Sequence, residues 1–112
     1  MEITTDRRDD YVVCRPHGEL DAYTADELCD SVAAITNPDI VVIDLSEVSF
    51  MDSTGLGRLI GAVRRTGDAG GDVAVCSPSP FLHRLLETVG FDRIVPVTDT
   101  VDGAVEDIRS RR

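Results

Sequence analysis

The sequence has 112 residues, which predicts one domain over residues 1–112. It carries 21 acidic and 11 basic residues, which give a net charge of −10. This charge makes nucleic acid and anionic lipid poor partners and favours a basic surface on another protein. The same acidity also serves solubility. All basic residues are arginine, which excludes chemistry that requires lysine, such as a Walker-A loop or a Schiff base.

Strands are predicted on both sides of the first helix. Residues 3–5 fit a short edge strand, and residues 11–17 fit a second strand rich in β-branched side chains. Pro16 cannot donate a ladder hydrogen bond, which favours a sheet edge or a bulge at that point. Residues 40–45 form a nearly continuous apolar run, typical of a strand that is covered on both faces of a parallel sheet.

Helical periodicity separates these strands and continues after them. The first helix is predicted over residues 21–35, with Thr24 and Glu27 as a capping box, and with Asn37 and Pro38 as its end. The later elements are a helix from Leu56 to about Arg65, a turn over 67–71, a strand over 73–76, a helix capped by Ser79 whose apolar stripe runs from Leu82 to Val89, a strand over 94–97 and a helix over 101–108. This order predicts an α/β domain with a largely parallel sheet of about five strands, the first an antiparallel edge strand, and about four helices.

Two polar segments follow strands of this predicted sheet, at residues 18–21 and 46–57. Because functional groups of open α/β sheets gather at the carboxyl ends of the strands, we expect both segments at one edge. The second segment places Ser53 at or near a helix N-terminus, with either Asp52 or Ser53 as the N-cap. From the residues alone, a plain helix cap is the simpler role for Ser53.

Gly55 and Gly57 lie in the first turn of this helix, where glycine lowers helix propensity. Without side chains they allow another surface to approach closely, or they allow tight packing of the helix on the sheet. The residues leave both explanations open.

The residues of the sequence give little support for an enzymatic function. Ser53 lies in D-S-T-G rather than G-x-S-x-G, and His17 and His83 are the only histidines. Three carboxylates could gather at the same edge: Asp21, Asp44 and Asp52. A receiver domain would also need a lysine, and a magnesium-dependent phosphatase would need a D-x-D motif, and neither is present. We therefore expect a binding protein rather than an enzyme, with no cofactor.

The cysteines and the hydropathy indicate a cytoplasmic protein. Cys14, Cys29 and Cys76 are widely spaced and form no C-x-x-C pair, which favours reduced and mostly buried thiols without a metal or catalytic role. No stretch approaches the roughly 18 apolar residues that span a bilayer. The first ten residues are polar and acidic, unlike a signal peptide.

The sequence resembles STAS domains, specifically the bacterial anti-sigma factor antagonists. The matching segments cover nearly the whole chain in order: residues 12–21, 41–57, 70–78 and 85–92. The most specific block runs from Asp44 to Gly57 and contains D-S-T-G-L-G.

The resemblance implies a regulated partner switch. In that family, the serine of this motif is phosphorylated by a partner that is both anti-sigma factor and serine kinase, and a metal-dependent phosphatase reverses the modification. The unphosphorylated antagonist binds the kinase and frees the sigma factor, which controls transcription in stress responses or sporulation. Ser53 would be the phosphoacceptor, with Thr54 as the alternative. The implied partner-binding residues are Asp21, Asp52, Ser53, Thr54, Gly55, Leu56 and Gly57.

A second hypothesis is a STAS scaffold that does not switch, such as an accessory subunit of a signalling assembly or of a transporter. Such a scaffold has no need of the complete acceptor motif, which favours the switch. The sequence leaves open whether the domain forms a weak homodimer, whether it binds a nucleotide, and which sigma factor it serves.

Overall fold

A central β-sheet organises the domain, and a computed structural model describes it over residues 1–35 and 40–111. Within these residues, six strands and four α-helices occur in the order β-β-α-β-β-α-β-α-β-α. The strands are β1 (Glu2–Arg7), β2 (Tyr11–Leu20), β3 (Ile40–Asp44), β4 (Val48–Met51), β5 (Asp72–Cys76) and β6 (Val97–Thr98). The helices are α1 (Ala25–Ala33), α2 (Ser53–Asp68), α3 (Pro80–Thr88) and α4 (Val101–Ser110).

The sheet is largely parallel, as the sequence predicts. Its strand order is β1-β2-β3-β5-β6, and β4 pairs with β2 outside this path. Strand β1 is an antiparallel edge strand on β2, and the other pairs are parallel. The predicted fold class, the antiparallel first strand and the number of helices are confirmed, and the described chain contains one strand more than expected.

The additional strand is β4, in the segment that was predicted to be a loop over residues 46–57. Strand β2 pairs with β3 only as far as Cys14 and then continues to Leu20, three residues past its predicted end. Its distal part, from Gly18 to Leu20, pairs with β4, and the register of this pairing shifts between Gly18 and Glu19. Gly18 adopts φ +106°, a left-handed conformation that favours glycine, and its N–H donates to the carbonyl oxygen of Glu47 at 3.0 Å.

Side chains of the sheet enter a core on each face. The larger core lies under α1, α2 and α3, and it includes Val41 and Ile43 of β3. The smaller core lies under α4, and it includes Ile40 and Val42 of the same strand. All five residues of β3 are buried, which confirms a strand covered on both faces. Among the described residues, no helix combines the length and the apolar character that crossing a membrane requires.

Several predicted boundaries are wrong for identifiable reasons. Helix α2 continues beyond Arg65 to Asp68, because Thr66 is buried and its hydroxyl donates to the carbonyl oxygen of Ala62 at 3.0 Å. The last strand is β6 rather than residues 94–97, since a 3₁₀ turn over Phe91–Arg93 intervenes and buries Phe91.

Two further expectations concern helix ends. Val89, predicted to extend the apolar stripe of α3, is 48% exposed and lies at the C-cap of that helix. The predicted cap at the other end of α3 is confirmed, since the Ser79 hydroxyl accepts the N–H of Leu82 at 3.2 Å. The predicted end of the first helix, at Asn37 and Pro38, lies outside the described residues.

A partly buried ion pair links strands β2 and β3. The Asp44 side chain is 4% exposed, and its Oδ2 accepts a hydrogen bond from Arg15 Nε at 2.9 Å. Its other oxygen, Oδ1, accepts the N–H of Ser46 at 2.9 Å. The carboxylate therefore joins β2 and β3 to the start of the connection that leads to β4.

We expect Arg15→Ala to lower the free energy of unfolding by about 2–3 kcal/mol, since it leaves a buried carboxylate without its cation. Arg58→Ala is a matched control, because Arg58 pairs with Asp26 and both side chains are at least half exposed. That change should cost less than about 1 kcal/mol. Urea denaturation measures both values, and equal losses would contradict a special role for the Arg15–Asp44 pair.

Candidate functional site

Helix α2 begins at Ser53, and Asp52 is its N-cap. The backbone of Asp52 is extended, with φ −99° and ψ −179°, and its Oδ1 accepts the N–H of Gly55 at 2.7 Å. Of the two predicted N-caps, the structure therefore selects Asp52. Ser53 occupies the first helical position, where it is exposed, and its hydroxyl makes no hydrogen bond with any described residue. Capping is thus not the role of this serine.

Gly55 allows the first turn of α2 to pack against the end of β2. A Cβ placed on Gly55 would lie 2.0 Å from the carbonyl oxygen of Leu20 and 3.3 Å from the backbone nitrogen of Asp21. The N–H of Asp52 donates to the same carbonyl at 3.3 Å. Around Gly57, by contrast, a Cβ would meet nothing within 4 Å. The two predicted uses of glycine are therefore divided: Gly55 serves internal packing, and Gly57 leaves open space at the surface.

The loop between β2 and α1 lies beside this turn and is held by its own hydrogen bonds. Asp21 Oδ1 accepts the N–H of Tyr23 at 2.9 Å and that of Thr24 at 3.1 Å. The Thr24 hydroxyl accepts the N–H of Asp21 at 3.0 Å and donates to the carbonyl oxygen of Glu19 at 2.7 Å. The predicted capping box is therefore wrong, because Thr24 bonds within the loop and Glu27 pairs with the N-terminal ammonium at 2.6 Å.

The seven predicted partner-binding residues meet at one edge of the sheet but differ in exposure. Five of them reach the surface: Asp21 and Asp52, which are half-buried, and Ser53, Thr54 and Gly57, which are exposed. Gly55 is buried against β2, and Leu56, which is 7% exposed, belongs to the larger core. These two residues support the exposed residues of the edge from inside the fold and are not themselves available for contact with a partner.

The three carboxylates considered for a metal cluster have separate partners. Asp44 is paired with Arg15, whereas Asp21 and Asp52 accept backbone N–H groups. Within residues 1–35 and 40–111, no group of three histidine, cysteine or acidic side chains is placed to hold a metal ion. The suggested cluster is therefore wrong, and the local negative charge is distributed along the edge.

Both histidines have partners other than Ser53. Nε2 of His17 lies 3.0 Å from the Thr4 hydroxyl, and Nε2 of His83 lies 3.1 Å from a carboxylate oxygen of Glu87, one helical turn later. Among the described residues, neither histidine forms a hydrogen bond with Ser53.

All three cysteines are buried and unpaired, as predicted. Burial raises the pKa of the Cys14 thiol to about 11. Burial also raises the pKa of Cys76 to about 11; the Ser77 hydrogen bond and Arg15 act against this shift, and Asp44 adds to it. Both thiols stay protonated at neutral pH, and neither has the lowered pKa of a reactive cysteine.

Two exposed aromatic side chains on the segments at this edge, Tyr23 and Phe50, were not predicted from the sequence. Tyr23 is 89% exposed and Phe50 is 43% exposed. The sequence did contain a signal for them. Tyr23 lies just after the polar segment 18–21 and Phe50 lies within the polar segment 46–57, in a chain with only two tyrosines and three phenylalanines.

Comparisons with known proteins identify the family. The STAS domain model matches residues 2–104. The anti-sigma F factor antagonist of Paenibacillus polymyxa is 31% identical over 111 residues, which cover 96% of this chain and 95% of that protein. The anti-sigma-B factor antagonist of Listeria monocytogenes is 36% identical over 98 residues, 86% of this chain and 82% of that protein.

Solved structures agree with these relatives. The crystal structure of an anti-sigma factor antagonist from Mycobacterium paratuberculosis superposes with a TM-score of 0.85 and 30% identity, over 96% of this chain and 93% of that one. The chain belongs to the STAS domain family, and these three relatives, each matched over more than four fifths of its length, are named anti-sigma factor antagonists.

We expect the two glycines to respond oppositely to alanine. Gly55→Ala should lower the free energy of unfolding by about 3 kcal/mol, because the new methyl group meets backbone atoms of Leu20 that cannot move aside cheaply. Gly57→Ala should raise it by up to about 1 kcal/mol through helix propensity. Urea denaturation of both variants measures the difference. A Gly55→Ala protein as stable as wild type would contradict the close approach.

Proposed function

We propose that this protein is a cytoplasmic anti-sigma factor antagonist. Its unphosphorylated form binds an anti-sigma factor with serine kinase activity and thereby releases a sigma factor. Phosphorylation of Ser53 ends the binding, and a metal-dependent serine phosphatase restores it. The observation that carries the proposal is the free, exposed Ser53 hydroxyl at the first position of α2, beside a cap that Asp52 already supplies.

The proposed reaction divides the chemistry between the two proteins. Ser53 Oγ forms a bond to the γ-phosphorus of ATP held by the kinase, the bond to the bridging oxygen of the β-phosphate breaks, and ADP leaves. The hydroxyl proton passes to a base of the kinase, since both histidines of this chain are paired elsewhere. This domain contributes a correctly placed acceptor and no catalytic group.

The helix N-terminus can hold the new phosphate without unfolding. A phosphoserine adds about −1.5 to −2 charges at pH 7. Asp52 binds the amides of Gly55 and Leu56, so the amides of Ser53 and Thr54 remain for the phosphate oxygens among the described groups. A negative group at this end of a helix gains about 0.3–1 kcal/mol. The switch therefore needs no change of conformation in the antagonist.

Binding is lost because the phosphate is placed in the interface. A serine that the kinase phosphorylates has to reach the γ-phosphate of its ATP, so in the proposed complex the phosphoserine would lie beside the phosphates of the remaining ADP. Asp52 lies next to it, which adds to the cost of removing this charge from water. A loss of about 3–4 kcal/mol weakens binding several-hundredfold, which is enough for a switch.

The test uses purified anti-sigma factor kinases of the source organism. We expect one of them to bind the wild-type domain and, when ATP is added, to transfer one phosphoryl group to it. Intact mass and peptide mapping should place that group on Ser53. Ser53→Ala should bind this kinase without being modified, and Ser53→Asp should bind several-hundredfold more weakly by calorimetry.

Thr54→Ala is the matched control, because Thr54 is also an exposed hydroxyl residue, at the next position of α2. It should still accept one phosphoryl group. Phosphate on Thr54 instead of Ser53 would contradict the assigned acceptor, and tight binding by Ser53→Asp would contradict the electrostatic switch. A domain that binds a kinase and is never modified would instead support the scaffold hypothesis.

A further inference from the structure

Two exposed aromatic side chains lie on segments next to the proposed phosphoacceptor, Tyr23 in the β2–α1 loop and Phe50 in β4, and have no part in the phosphate switch. Tyr23 is 89% exposed, and Phe50 is 43% exposed. Single exposed apolar residues are common on monomers, but two aromatics at one functional edge are typical of interfaces, where tyrosine and phenylalanine are enriched. These residues therefore require an explanation in terms of binding.

The backbone at Tyr23 is fixed although its ring lies in solvent. Its N–H donates to Asp21 Oδ1 at 2.9 Å, and the Thr24 hydroxyl ties the same loop to the carbonyl oxygen of Glu19 at 2.7 Å. The loop also abuts the first turn of α2 through the close approach at Gly55. The backbone that carries the ring therefore loses little conformational entropy on binding, which favours Tyr23 as an anchor residue.

Phe50 is placed at the same edge by strand pairing. It lies opposite Glu19 in the register of β4 with β2, two residues before Asp52. Val48 and Met51 are buried and hold β4 against the core. The ring of Phe50 is thus presented at the surface by a strand rather than by a loose loop.

The charges around the two rings favour a cation on the partner. The edge carries Glu19, which is exposed, and Asp21 and Asp52, which are half-buried, in a chain of net charge −10. The two arginines nearest in sequence to this edge, Arg15 and Arg58, are paired with Asp44 and Asp26. A guanidinium group can stack on an aromatic face and donate to a neighbouring carboxylate at once.

We infer that Tyr23 and Phe50 are the anchor residues with which this domain docks on its anti-sigma factor, and that the partner presents an arginine to the Tyr23 ring and the Glu19 carboxylate. The inference rests on the proposed function and adds the chemistry of the partner surface. Docking and switching are then separate: the aromatic pair supplies affinity, and Ser53 faces the nucleotide.

The test uses the purified anti-sigma factor that binds the wild-type domain, with affinity measured by calorimetry. Tyr23→Ala should weaken binding about 30-fold, the loss typical of an anchor residue, and Tyr23→Leu about tenfold, because leucine keeps apolar area without a ring face. Tyr23→Phe should stay within about twofold of wild type. Urea denaturation should show unchanged stability in all three variants, since the ring is almost fully exposed.

Val89→Ala is the matched control, because Val89 is an exposed apolar residue at the C-cap of α3, outside the segments that form this edge. It should bind like wild type. Wild-type affinity in Tyr23→Ala, together with lost binding in Ser53→Asp, would overturn the docking inference and leave the proposed function intact. Wild-type affinity in Tyr23→Leu would overturn the arginine contact. Failure of the wild-type domain to bind any of the organism's anti-sigma factors would overturn both proposals.

Discussion

The contact between the first turn of α2 and the end of β2 determines the geometry of the whole carboxyl edge. The carbonyl oxygen of Leu20 occupies the space that a side chain at position 55 would need, so only glycine fits there. The same carbonyl oxygen accepts the N–H of Asp52. The Asp52 side chain in turn caps the helix by accepting the N–H of Gly55. The start of the helix is therefore held both by the strand and by its own cap. As a result, Ser53 and the β2–α1 loop form one continuous surface.

Support for this edge comes from deeper in the sheet. Asp44 accepts hydrogen bonds from Arg15 and from the backbone of Ser46, and it thereby fixes the point at which the chain leaves β3. Strand β4 then pairs with the distal part of β2 and leads directly into Asp52. Ser53, the proposed acceptor, therefore follows directly on a strand that is paired with the sheet and on the N-cap of α2. A modification there is expected to change the charge of the surface while the fold beneath it stays the same.

Local patterns in the sequence predicted most of the fold, and non-local contacts account for the errors. Strand β3 was evident from its uninterrupted apolar run, whereas in β4 only Val48 and Met51 are buried, and its pairing partner lies about thirty residues earlier. The Thr24 and Glu27 pattern fits a capping box, but loop hydrogen bonds and the N-terminal ammonium compete successfully for both side chains. Likewise, the family motif marks Gly55 and Leu56 as part of the site, and only the three-dimensional packing shows that both face inward.

The central claim is that phosphorylation of Ser53 changes the surface charge and leaves the fold intact. Amide NMR spectra of the unphosphorylated and fully phosphorylated domain test this most directly. The predicted result is that chemical-shift changes are confined to the β2–α1 loop, β4 and the first turn of α2, while the affinity for the anti-sigma factor falls several-hundredfold. Shift changes that extend through β5 and α4 would show a conformational switch and would contradict the claim.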